Sequence, residues 1–124
     1  MDMAGHQGNP GRNSGEAFRF RVSDAVEVPL RGYLLRLRLL DGAPNLKELR
    51  PGRYLRLRAP DGSERLAKIL DYAITGGHPT QARLERTREL DVVIAREDAV
   101  RGGRPVAIGW MVVGVATGGG ERAA

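Results

Sequence analysis

Cysteine is absent from this 124-residue sequence. That removes disulfides and every thiolate metal site, and it suits a reducing compartment. Histidine is nearly absent: His6 and His78 are the only two. They lie far apart in the chain, so neither a metal site nor a cofactor is expected. Aromatic residues form 5% of the sequence, sparse for a platform on which bases stack. Long apolar runs are missing as well. The longest, residues 106–116, is about half of the roughly 20 residues that a membrane-spanning helix needs. Residues 1–16 carry no apolar segment, so no secretory signal is expected and a cytoplasmic protein is.

Catalytic patterns are missing too. There is no Gly-x-Ser-x-Gly elbow, and Ser14, Ser23 and Ser63 stand without triad partners nearby. Glu97 and Asp98 are adjacent, so on a strand they would point to opposite faces. They read as solvated loop charges rather than an acid pair. Asp24 reads as a backbone hydrogen-bonding residue. Asp41-Gly42 and Asp61-Gly62 read as turns, since the calcium-loop pattern is absent. The expectation is therefore a protein that is not an enzyme.

What the chain does have is enough apolar residue for one core: 41% of 124 residues. The expected organisation is a single domain over residues 17–116, with flexible polar tails at 1–16 and 117–124. The net charge is +5. Residues 1–60 hold 11 basic and 6 acidic side chains, whereas residues 61–124 hold 9 of each. Only Lys47 and Lys68 among the 20 basic residues are lysines. An arginine surplus suits phosphate recognition and also follows from a GC-rich coding bias.

Strand patterns fill the domain. Phe18, Phe20 and Val22 alternate with Arg19 and Arg21, the period of a half-buried strand. Residues 25–28 continue it to a turn at 29–32. Residues 33–40 follow, with Tyr33, Leu35, Leu37 and Leu39 on one face. After a break at 41–45 and a short segment at 46–49, residues 53–59 put Leu55 and Leu57 inward. Pro60-Asp61-Gly62-Ser63 is a hairpin turn to a strand over 64–74. A loop covers 75–80, and residues 81–91 fit neither strand nor helix well. Val92-Val93-Ile94 suits a buried strand. A loop at 97–105 precedes a last strand over 106–116, whose Gly109 and Gly114 suit bulges or a barrel corner. Trp110 should anchor the core or a barrel end. Six to seven short, mainly antiparallel strands with frequent turns predict an all-β barrel, closed or partly open.

Residues 18–32 (FRFRVSDAVEVPLRG), 33–39 (YLLRLRL) and 49–57 (LRPGRYLRL) resemble, in order, three pieces of the second domain of translation elongation factor Tu and its relatives. These are the opening strand and turn, the second strand, and the glycine step with its third strand. Pro29-Leu30 replaces small residues, and Arg53 replaces an acidic one. The resemblance implies a small β-barrel of the translation-protein kind. It does not imply GTP hydrolysis, because Gly-x-x-x-x-Gly-Lys is absent. Residues 49–60 also resemble the corresponding step of flavin-binding reductase barrels. The Arg-x-Tyr-Ser-like motif of that family is missing from 65–72 (RLAKILDY), which leaves flavin or another cofactor as a third reading.

Alternation also predicts a basic face. Arg19 and Arg21, Arg36 and Arg38, and Arg56 and Arg58 with Tyr54 each lie opposite an apolar row. If their strands share a sheet, six arginines and one tyrosine would face RNA or another polyanion. The competing reading is a solvated face that keeps the sheet soluble. A protein partner or a second copy, met through an exposed edge strand or the 106–116 segment, is the alternative function.

Overall fold

The computed structural model describes residues 16–73 and 78–115. Among them six strands close into one antiparallel barrel. They are β1 (Glu16–Val28), β2 (Gly32–Gly42), β3 (Tyr54–Arg58), β4 (Glu64–Tyr72), β5 (Glu89–Ile94) and β6 (Met111–Val115). Around the barrel the order is β1-β2-β5-β4-β3-β6, and β6 pairs back onto β1. The expected all-β barrel is the fold seen. The expected tails lie outside the described residues except for Glu16, which belongs to β1 and is buried.

Alternation explains the interior. Phe20, Val22, Leu35, Leu37, Leu55, Leu57, Ile69, Val92, Ile94 and Val112 all point inward and are buried. Bulges after Arg19 and after Val22 let the long β1 strand bend as the sheet closes. Gly114 makes room inside: a Cβ there would stand 2.1 Å from the Phe18 ring. That ring in turn meets Phe20 edge to face at 5.6 Å.

The two hairpin turns differ in chemistry. Between β3 and β4, Gly62 supplies the left-handed residue (φ 93°), and Asp61 accepts hydrogen bonds from the amide and hydroxyl of Ser63. Between β1 and β2, Arg31 N–H donates to the Val28 carbonyl, with Pro29 and Leu30 between them. Leu30 takes φ 66°, where this kind of turn favours glycine. Its side chain is fully exposed, so no packing offsets the backbone cost.

Two connections cross the barrel from one side to the other, and each closes an end. The β2–β3 connection makes a 3-10 turn over Leu46–Leu49 and buries Leu49. Beside it lies α1 (Gln81–Thr87), which buries Leu84. The Gln81 amide links the two: it accepts from Leu46 N–H (2.7 Å) and donates to the Pro44 carbonyl (3.1 Å). The ambiguous 81–91 stretch is thus two elements, a capped helix and the first residues of β5. Thr80 caps the helix by accepting from Arg83 N–H, and Arg88 ends it in a left-handed conformation.

The β5–β6 connection closes the other end with Ala99, Val106 and Trp110. Here two expectations are corrected. Residues 97–105 are not simply a loop: they hold most of α2 (Arg96–Ala99) and a 3-10 turn (Arg101–Gly103). The last strand starts at Met111 rather than 106. Residues 106–110 form a turn tied to β1, with Val22 N–H donating to Trp110 and Gly109 N–H donating to Val22.

Candidate binding surface

Strand order decides what the predicted basic face becomes. All seven residues project outward, but not to one side. In the closed ring β2 and β3 are three strands apart in either direction. Arg36 and Arg38 therefore lie on the opposite side of the barrel from Tyr54, Arg56 and Arg58. Arg19 and Arg21 do gather with Arg56 and Arg58 across β6: Arg19 and Arg56 both face Val113, and Arg21 and Arg58 both face Met111. The single flat seven-residue face is corrected to a row that wraps around the barrel, from Arg36 and Arg38 through Arg21 and Arg19 to Arg58, Arg56 and Tyr54, because the sheet closes instead of lying flat.

Most of these arginines are matched to carboxylates by register. Arg36 stands directly opposite Asp91 and forms a two-point bond at 3.1 Å for each contact. Arg38 stands opposite Glu89 (3.2 Å), Arg19 opposite Asp41 (3.1 Å) and Arg58 opposite Glu64 (2.7 Å). Each pair rewards one strand alignment, since a one-residue slip would move the partners to opposite faces. The Asp91 hydrogen bond and charge raise the pKa of Arg36. Arg58 also binds the buried Glu16 carboxylate, and that bond raises its pKa despite burial. Arg21 faces Arg38 across the β1–β2 pair and has no ion pair among the described residues.

The β3–β4 side is different. Tyr54 stands directly opposite Lys68, and Arg56 opposite Leu66. Tyr54 is 58% exposed, Leu66 50% and Leu70 43%. Lys68 and the neighbouring Arg53 are exposed and have no ion pair among the described residues. Arg56 has only Glu64, at 3.9 Å. This side thus carries cations with free donors, one open aromatic ring and two aliphatic side chains.

Sequence reading missed the cluster at the end closed by Trp110. Arg65 lies 4.8 Å from the Trp110 ring centre and Arg104 lies 5.8 Å from it. Arg65 donates to the carbonyls of Asp98, Ala99 and Arg104. Burial, and then Arg101 and Arg104, lower its pKa. Asp98 is buried rather than solvated: it accepts from Lys68 N–H (2.9 Å) and pairs with Arg101. These bonds fasten the crossing connection to β4. A readable signal existed, since Arg65 shares the inward parity of Ala67 and Ile69, and an arginine there needs partners. Asp24 bonds Ala25 N–H, as expected.

The chain matches no protein-family model, no curated protein and no solved structure. Among the described residues no cluster of His, Asp or Glu could hold a metal ion, and no helix is long and apolar enough to cross a membrane. Each of the six strands pairs with a neighbour on both sides, although residues 24–28 of β1 pair only with β2. In the 106–116 segment Val106, Trp110, Val112 and Val113 are buried, whereas Ile108 is 57% exposed.

Proposed function

We propose that this chain is a non-enzymatic binding module of the elongation-factor second-domain kind, and that it holds single-stranded nucleic acid on the outer β3–β4 face. The observation that carries the reading is the Tyr54–Lys68 pair. An open aromatic ring and an ammonium without a carboxylate partner stand side by side on a rigid sheet. Such a pair suits a base stacked beside a phosphate. Arg53 and Arg56 extend the positive charge along the strand. A phosphate chain gains when unpaired protein cations displace its condensed counterions into solution, and it gains little from arginines already neutralised by Asp91 and Glu89. The binding group therefore keeps Tyr54 and Arg56 from the predicted face, adds Lys68 and Arg53, and omits Arg36 and Arg38.

A labelled oligouridine titrated at two salt concentrations tests this. Binding should weaken steeply with salt, fall in Lys68→Glu and Tyr54→Ala, and persist in Arg36→Ala. No binding at low salt, or equal loss in Arg36→Ala and Lys68→Glu, would sink the reading. Leu66 and Leu70 favour a second reading, a protein partner that covers the same face. Leu66→Ser would weaken such a partner while leaving salt-dependent oligonucleotide binding unmoved.

A further inference from the structure

The barrel end covered by the β2–β3 crossing holds a concavity of about 440 Å³. Its wall is formed by Asn45, Leu46, Lys47, Arg50, Tyr72 and Gln81. Another, of about 130 Å³, lies beside Arg36, which Asp91 already binds. The larger pocket differs in that its cations are uncommitted. Lys47 and Arg50 have no ion pair among the described residues. Its apolar wall is Leu46 with the half-buried Tyr72, both packed on the core. Its frame is stiff, because the Gln81 amide is fixed by Leu46, Pro44 and Glu85, and Asn45 caps the 3-10 turn through Lys47 N–H (2.9 Å).

We propose that this pocket binds a small organic anion, a phosphate or carboxylate borne on a flat apolar body. The anion would lie between Lys47 and Arg50, and the body against Leu46 and Tyr72. The size lies within the range of small-molecule sites, and an apolar wall with a few convergent charges is their usual composition. Guanidinium and ammonium both bind phosphate oxygens, and guanidinium does so through two parallel bonds. Arg50 and Tyr72 line the same concavity, and burial raises the Tyr72 pKa although the Arg50 charge opposes it. The site borders the β3–β4 face, since Tyr72 ends β4 and Arg53 N–H donates to the Arg50 carbonyl (3.1 Å), but it does not depend on nucleic-acid binding there.

The test is a titration of the isotope-labelled full chain, followed by amide chemical shifts, with four probes: phenyl phosphate, benzoate, inorganic phosphate and benzyl alcohol. Phenyl phosphate at millimolar concentration should shift Leu46, Lys47, Tyr72 and the Gln81 side-chain amide. Benzoate should shift the same signals with weaker affinity, and their ratio separates a phosphate ligand from a carboxylate one. Inorganic phosphate and benzyl alcohol, each lacking one half of the ligand, should bind at least about tenfold more weakly, the loss of one charge-assisted contact or of the apolar wall. Arg50→Gln should cost phenyl phosphate about tenfold with the remaining spectrum unchanged, which also shows that the variant folds. Lys68→Glu should leave the titration intact. Absence of shifts with both aromatic anions, equal binding of benzyl alcohol, or insensitivity to Arg50→Gln would each overturn the proposal.

Discussion

The two sides of this barrel use the same residue types for opposite ends. On the β2–β5 side, Arg36 and Arg38 are met by Asp91 and Glu89 at the same register positions. On the β3–β4 side, the residue opposite Lys68 is Tyr54 and the one opposite Arg56 is Leu66. Both sides alternate apolar and basic residues, so period alone does not tell them apart. The partner strand does: a cation opposite a carboxylate sets register, and a cation opposite an uncharged side chain is left with charge to spare. Arg58 sits on the boundary, in β3 but held by Glu64 and Glu16.

The largest expected effect breaks that boundary residue. Arg58→Met would remove a charge-assisted bond to the buried Glu16 carboxylate and the bond to Glu64, and should destabilise the fold by about 2–3 kcal/mol. Chemical denaturation measures this. A cost below about 0.5 kcal/mol, the usual size of a neutral surface change, would show that the pair contributes no more than an exposed one.

Breaking the ladder should have a smaller cost and a second consequence. Asp91→Asn with Glu89→Gln removes two exposed cross-strand pairs, at about 0.2–1 kcal/mol each. It also uncovers Arg36 and Arg38. If pairing is what keeps this side from polyanions, the double variant should bind oligouridine more tightly than the wild type. Its binding should then survive Lys68→Glu. Unchanged affinity in the double variant would mean that pairing is not what separates the two sides. Lys68→Glu by itself should change stability by less than about 0.5 kcal/mol while reducing binding, because its side chain makes no bond that the fold requires.

Much of the fold was legible because burial follows alternation. The inward rows of β1, β2 and β3 and the Asp61-Gly62 hairpin all follow from period and turn chemistry. Residues 81–91 were not legible, because the change from helix to strand occurs at Arg88 through a left-handed arginine where glycine is usual. The start of the last strand was misplaced because Val106 and Trp110 are buried in a crossing turn, and burial there mimics a strand. The site was legible only in part. Parity puts Arg36 and Arg56 on the outer surface correctly, but ring order is a long-range property. Nothing near either residue records that β2 lies across the barrel from β3. Lys68 was passed over for a related reason: its importance comes from facing Tyr54, and pairing is visible only once the hairpin register is known.

The smallest effect sharpens the comparison at the tip of the β3–β4 hairpin, where a carboxylate is held as the ladder carboxylates are. Asp61 accepts from Arg104 at 2.8 Å and from Ser63. Arg104 first, and Ser63 second, hold its carboxyl well below the usual range. A folded-state pKa lowered in this way adds stability above the unfolded value, near 4, and loses it as the pH falls toward the folded value. The melting-temperature difference between wild type and Asp61→Asn should therefore be constant around neutrality and shrink below about pH 4. The group is at the surface, so added salt should shrink the difference as well. A difference that stays constant down to acid pH would assign the Asp61 effect to turn geometry, which asparagine preserves less well, and not to its charge.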